Sequence, residues 1–220
     1  MAYSLRSNTN PSSVRYTQMF PNLGEDLRHY GGWWSQLKAL LLVPRVWAIV
    51  AYRFRRWVDT ARMPSILRLL LSAAGRLAAG FVEAVTHIEL PSQAIIGPGL
   101  FLPHAGYVIV ASNATIGRHC TLTQGVTIGH RAGGHELSLD SPVIGNRVYV
   151  GPGAAILGPV NVGDDVLIGA NAVVIDSVSS RAVVVGNPGR VISRLGSFQL
   201  ISYPSMGYDA ERLASLAEAS

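Results

Sequence analysis

The residues of this chain best suited to chemistry are His104 and Glu89, fifteen positions apart. They fall in a stretch whose sequence repeats every six residues. If three such units close one turn of a coil, fifteen residues fall a little short of a turn, so the two side chains occupy adjacent rungs near one corner. Rungs of paired strands lie about 4.8 Å apart, a gap that a carboxylate and an imidazole can bridge with a hydrogen bond. A histidine held in this way has a fixed tautomer and raised basicity, and its second nitrogen can take a proton from an attacking hydroxyl. A lone corner histidine would be an ordinary surface residue. The Glu89 partner and the two-residue insertion at Ala105-Gly106 make His104 a candidate general base.

Those positions depend on a regular scaffold. Aliphatic residues recur at Val110, Ile116, Leu122 and Ile128, then at Ile144, Val150, Ile156, Val162, Ile168 and Val174, and Ile96 and Leu102 join the series after a two-residue offset. Glycine follows at 97, 117, 129, 145, 151, 163 and 169, and a small apolar residue comes four positions on, as at Ala114, Cys120, Val126 and Ala154. One large aliphatic, one small apolar residue and one turn-permitting glycine describe a flat side of a triangular coil, so residues 88 to 192 supply between five and six coils of a parallel β-solenoid. The period does not set the hand. A second break lies between Ile128 and Ile144, where the segment 130–141 replaces regular coil. Insertions in a solenoid project from its corners, where function gathers.

Upstream of the repeat the pattern is helical. Trp47, Ala51, Phe54 and Val58, and likewise Ile66, Leu70, Ala73, Leu77 and Phe81, recur at steps of three and four, the spacing of one helix face. Two or three packed helices are expected, with these stripes turned into a core and with Pro44 and Pro64 near helix starts. The chain divides into an arm at 1–22, a helical domain at 23–87, the solenoid at 88–192 with its 130–141 loop, and a tail at 193–220 in which Asp209 to Ala219 forms a short helix.

Basic residues concentrate upstream: residues 1–85 carry eleven Lys and Arg against four Asp and Glu, and the remainder carries seven against nine. Arg53, Arg55 and Arg56, beside Trp47 and Trp57, read first as a solvated helix face whose stems cover apolar neighbours. The same cluster could touch anionic headgroups. Nothing more specific points to nucleic acid. The apolar stretch Leu37 to Val50 is broken by Pro44 and Arg45, and Ile66 to Val85 by Arg68, Arg76 and Glu83, so neither reads as a membrane span. No secretory leader is read at the start of the chain. The single cysteine, Cys120, allows no internal disulfide and sits at an inward position, which fits a packed thiol in a reducing, cytoplasmic setting. No Cys/His cluster has zinc-site spacing, so no metal is expected. His29 and His119 read as surface residues and His87 as a junction residue.

Several segments carry a family likeness: Leu-Leu-Leu-Val-Pro-Arg-Val-Trp-Ala-Ile-Val-Ala-Tyr-Arg ending at Arg53, Ile88-Glu-Leu-Pro91, Ile96-Gly-Pro-Gly99, Leu102-Pro-His104, Gln124-Gly-Val-Thr-Ile-Gly129 and Val185-Gly-Asn-Pro-Gly-Arg190. Over roughly residues 37 to 192 the chain resembles the hexapeptide-repeat acyltransferases, in their serine acetyltransferase-like branch. The resemblance implies a left-handed β-helix behind a helical domain, a homotrimer or larger assembly with active sites between subunits, and acetyl-CoA as co-substrate without a permanently bound cofactor. It places His104 on the catalytic histidine, Glu89 on its carboxylate partner and Gln124 near the acetyl group. It also brings Gly129, His130, Gly151, Gly169 and Ala170 to the CoA channel. Pro152 falls on a further backbone position there and lacks the N–H to donate. Arg190 either faces the CoA phosphates or is a solvated residue of a structural turn.

At the acceptor end the chain departs from the family pattern. Where that pattern has an Asp before the catalytic histidine and an Arg-His pair at the end of the loop, this chain has Pro103 and Asp140-Ser141. A carboxylate would meet an acid in place of a cationic clamp. The loop is also two residues longer, which leaves His135 able to enter that role. The expectation is therefore an acceptor hydroxyl on a sugar unit of a cell-surface polysaccharide or exopolysaccharide, with serine as the alternative acceptor. A carbonic anhydrase-like metal enzyme and a non-catalytic scaffold are remoter readings, because His130 and His135 lack a third histidine at a suitable coil position.

Overall fold

The computed structural model describes residues 18–131 and 141–218. The solenoid is present as a left-handed parallel β-helix of three faces. The first face stacks Ile88–Glu89 (β1), Val108–Val110 (β3), Thr127–Gly129 (β6), Ala155–Leu157 (β9) and Val173–Val174 (β12). The second stacks Ile95–Ile96 (β2), Thr115–Ile116 (β4), Val143–Ile144 (β7) and Asn161–Val162 (β10). The third stacks Thr121–Leu122 (β5), Tyr149–Val150 (β8), Leu167–Ile168 (β11) and Val183–Val185 (β13), and is closed by an antiparallel strand, Arg190–Ser193 (β14).

The six-residue repeat sets this register directly. Ile96, Ile116, Ile144 and Val162 pair in sequence along one face, as do Val110, Ile128, Ile156 and Val174 and Leu122, Val150, Ile168 and Val184. All twelve are buried, each contributing about 1.5–3 kcal/mol by leaving water. The glycines after them let rungs meet closely: a Cβ on Gly117 would lie 2.5 Å from the Gly145 carbonyl oxygen. Cys120 is inside as expected, its thiol 3.2 Å from the Gly145 oxygen and pushed up to about 12 by burial.

Four α-helices precede the solenoid: Met19–Leu27 (α1), Trp33–Leu42 (α2), Pro44–Thr60 (α3) and Ser65–Thr86 (α4). The helix α1 begins inside the segment read as an arm. Pro44 opens α3 as its first residue, whereas Pro64 is the N-cap of α4. The helix α3 lies against the first coil. Tyr52 Oη donates to the Ala94 oxygen at 2.9 Å and accepts from Ile96 N at 3.0 Å.

Sequence expectations fail in both α3 and α4. Arg53 is not solvated; its side chain is 1% exposed and pairs with fully buried Asp26 through Nε at 2.8 Å and Nη2 at 3.0 Å. It also donates to the Ile96 and Gly97 oxygens at 2.6 Å each. A planar five-donor cation is well matched to such a junction, and a buried partner on another helix overrides the usual exposure of arginine. The second failure is α4. Ile66, Leu70, Leu77 and Phe81 are 62–78% exposed rather than core, because the opposite side of the helix, around Gly75, packs on α3. By length and composition alone α4 is long and apolar enough to cross a membrane, contrary to the sequence reading of that stretch.

The tail folds back along its own chain. Ser197 Oγ donates to the Arg147 oxygen at 2.5 Å, and Ser197 N to the Asp165 oxygen at 2.9 Å. A short helix follows, Ala210–Ala217 (α5), capped by Asp209 through Glu211 N and Arg212 N. Arg147 ties it down, pairing with Asp165 at 2.7 Å and Glu211 at 3.3 Å. The tail covers His119, which is buried and stacked on Tyr203 with ring centroids 3.9 Å apart. His29 is also no surface residue: it is part-buried, with Nε2 3.2 Å from the Gly99 oxygen and its ring on Phe101. Neither burial is visible locally in sequence, since the covering groups come from distant segments.

Burial, reinforced by the neighbouring Arg118 guanidinium, holds the His119 imidazole down at about 4. The folded protein thus resists a proton that the unfolded chain accepts below about 6.5. Stability is expected to fall as pH drops from about 6.5 toward about 4 and to level off below. His29, also depressed by burial, adds to the slope. Melting temperatures across this window should show a weaker pH dependence for His119→Asn, a residue that tolerates the left-handed φ of 54° found there.

Candidate active site

His104 lies in the corner that leads from the third face to the first, between the Phe101 bridge to Thr121 and the start of β3. The inserted residues shape this corner. Gly106 and Tyr107 both have positive φ, 112° and 49°, and the Gly106 oxygen accepts from Gly125 N at 3.1 Å. His104 is held outward and exposed. The next coils stack their corners on this one, with Gly153 N donating to the Gln124 oxygen at 3.0 Å and Asn171 N to the Pro152 oxygen at 2.8 Å. His104, Gln124, Gly151, Gly169 and Ala170 therefore follow one edge of the prism, with Gln124 and Ala170 exposed.

Gly129 and His130 occupy the other edge of the first face, where β6 ends and the loop begins. Their neighbour Ser141 donates from Oγ to Asn113 Oδ1 at 2.6 Å and lies 3.4 Å from His130 Nδ1. That hydroxyl is taken up in fastening the loop base. A Cβ on Gly129 would make only ordinary contacts, 3.8 Å or more from its neighbours. The fold itself does not demand glycine there, so space above the backbone is what a side chain would remove. Gly151 differs, because a Cβ would come within 2.7 Å of Ala170 N. His135 and Asp140 lie outside the described residues. Arg190, in β14, is exposed, and its side chain bonds only the Gly189 oxygen among the described residues.

Glu89 stands on the first face, exposed, with Ile109 as its register partner on β3. Among the described residues no hydrogen bond joins it to His104. It borders a groove of about 430 Å³ formed with Gly80, Glu83, Ala84, His87, Tyr107 and Ile109, within the size range of small-ligand sites. Sequence reasoning missed Glu83 and Tyr107. Tyr107 is 66% exposed and lies against the His87 ring at 4.9 Å, and its place directly after the Ala105-Gly106 insertion was the available signal. Among the described residues no three His, Cys, Asp or Glu side chains converge to hold a metal.

Residues 141–176 match the family model described as bacterial transferase hexapeptide (six repeats). The serine acetyltransferase of Synechococcus elongatus is 39% identical over 73% of this chain and 62% of its own length. That of Mycobacterium tuberculosis is 36% identical over 84% of this chain and 74% of its own. The chain belongs to the serine acetyltransferase family. A solved serine acetyltransferase of Neisseria gonorrhoeae, in complex with serine, is similar at a TM-score of 0.63 and 26% identity, over 81% of this chain and 70% of that one. This chain thus spans less than two thirds of the Synechococcus relative's length.

Membership of the serine acetyltransferase family corrects the acceptor expected from the sequence. The sugar hydroxyl, and with it a place in polysaccharide biosynthesis, rested on Pro103 and Asp140-Ser141, but the similarity to serine acetyltransferases extends across most of the chain. The physical fault is in the position-by-position comparison. A loop two residues longer does not keep its end residues at the same places in space, and the Ser141 hydroxyl faces Asn113. Single residues around an insertion say little about which groups reach the acceptor.

Proposed function

We propose that this chain transfers the acetyl group of acetyl-CoA to the hydroxyl of serine. The observation that carries the reading is the 36% identity to the mycobacterial serine acetyltransferase over 84% of the chain. His104 takes the proton from the serine hydroxyl as that oxygen attacks the thioester carbonyl. Backbone amides near Gly129 receive the developing oxyanion. Collapse expels the CoA thiolate, which takes up the proton, leaving O-acetylserine and CoA without a covalent enzyme intermediate. Glu89 orients His104 by drawing to hydrogen-bond distance in the substrate complex, as catalytic contacts often do on binding. Gln124 lies beside the acetyl group. The pantetheine arm follows the first face between the Gly129-His130 edge and the edge of Gly151, Gly169 and Ala170, with Arg190 toward the phosphates.

The reading includes a homotrimer with sites between subunits and a cytoplasmic setting, which the packed, unpaired Cys120 fits. Its test is direct. Purified protein given acetyl-CoA and L-serine should release free thiol in proportion to serine and yield O-acetylserine by mass spectrometry. Thiol release that ignores serine would overturn the acceptor assignment.

A further inference from the structure

Five left-handed residues stack in one column at the corner that leads into the first face: His87, Tyr107, Gly125, Gly153 and Asn171, with φ of 55°, 49°, 75°, 71° and 56°. The register of that face aligns them, since Ile88 pairs with Val108, and Ile109, Thr127, Ala155 and Val173 pair in turn. Glycine, asparagine and histidine accept this backbone most readily. Tyrosine does not, and a bulky residue kept in such a turn points to a function. Packing does not account for the ring. It is 66% exposed, and its one aromatic contact is with His87, at 4.9 Å between centroids and 34° between planes. The next position up the column is Gly125, so no side chain of the column covers the other side of the ring. His104 stands three residues earlier on the same corner, and Gln124 adjoins Gly125 on the next. An open aromatic face thus borders the places assigned to the general base and the acetyl group.

The groove beside the ring favours positive charge. Its walls include Glu83 and Glu89 and no lysine or arginine. Among the described residues neither carboxylate enters an ion pair, although Arg55 borders the adjoining cavity of about 100 Å³. The mechanism uses Glu89 to orient His104 and gives Glu83 no task. An aromatic face flanked by carboxylates attracts a cation and repels an anion, and the cationic group of serine is its ammonium. The Asp that the family pattern places before the catalytic histidine is Pro103 here, so that ammonium needs another partner.

We propose that Tyr107 selects the acceptor by receiving its ammonium on the open face of the ring, with Glu83 supplying the opposite charge. This deepens the proposed function and rests on it for the identity of the acceptor. Held by its amino group, serine presents a hydroxyl two carbons away to the corner that carries His104.

Acceptor choice tests the assignment. L-serine is compared with 3-hydroxypropionate, which keeps the hydroxyl and carboxylate but has no ammonium. The comparison is made by kcat/KM and, without turnover, by ligand-observed NMR on the CoA-saturated protein. Tyr107→Asn removes the ring and suits the left-handed turn. The preference for serine should fall about 5- to 30-fold, the range of a partly to fully desolvated cation–π contact, chiefly through KM. Tyr107→Phe keeps the ring face and should keep the preference. Glu83→Gln, an exposed change that leaves the turn intact, should lower it. A wild type that does not prefer serine, equal losses on both acceptors, a preference unmoved by Tyr107→Asn or Glu83→Gln, or its loss in Tyr107→Phe overturns the inference. Ring-dependent binding of serine by a protein that does not acetylate it would fault the proposed function alone, and absence of serine binding would overturn both.

Discussion

Replacing His104 with alanine is expected to slow serine acetylation by roughly 10²–10⁴-fold, the range supplied by a positioned general base, while CoA affinity stays nearly unchanged. The residue is exposed and makes no hydrogen bond among the described residues, so its loss should cost little stability, and the melting temperature serves as the control. Loss of rate with the fold intact therefore reports chemistry. The CoA channel proposed along the Gly129 edge and the backbone at Gly151, Gly169 and Ala170 does not include His104, which is why binding should survive. Steady-state rates with isothermal titration of CoA separate the two effects. Transfer at the wild-type rate would remove His104 from the mechanism.

Asp26→Ala should produce the largest loss of stability. The carboxylate is fully buried and bonds Arg53 twice and Leu100 N once, at 2.9 Å. Removing one member of a buried pair leaves the other charge uncompensated and costs about 3–5 kcal/mol, or roughly 10 °C in Tm for a chain of this size. Arg53→Met combined with Asp26→Leu should cost less than Asp26→Ala alone, because no charge is stranded. Differential scanning calorimetry checks both, and a shift of only about 1–2 °C on Asp26→Ala would show the pair to be dispensable.

The β-helix was legible because its signal is local and repeated. Each hexad states the same instruction, from Val110 to Val174, and the register pairs in the structure are those residues. What was not legible depended on partners far away in sequence. Arg53 looked solvated because its partner Asp26 lies on another helix. His119 looked exposed because Tyr203, which covers it, belongs to the returning tail. In α4 the period announced a face and not what covers it. The Ile66-to-Phe81 stripe and the Gly75 side have the same spacing, and only the packing on α3 separates them.

The candidate site divides the same way. The insertion after His104 and the loop after Gly129 marked the two edges of the first face, since breaks in a regular repeat stand out. The acceptor end was misread because it turned on residues next to an insertion. Tyr107 was overlooked because its positive φ shows only in the structure, and the adjoining insertion was its one hint in the sequence.

The two ends of the β-helix are finished in different ways. A parallel stack leaves a row of unsatisfied backbone groups at each open rim, and like rims can join. At the first coil the Ala94, Ile96 and Gly97 carbonyls are already taken by Tyr52 and Arg53. At the last, β14 runs antiparallel to β13 and breaks the direction that a further coil would have to follow. Stoppers of this kind protect a strand edge against end-to-end growth. Tyr52 and Arg53 thus act as a terminus for the stack, because the carbonyls they occupy are no longer open to the backbone of another strand.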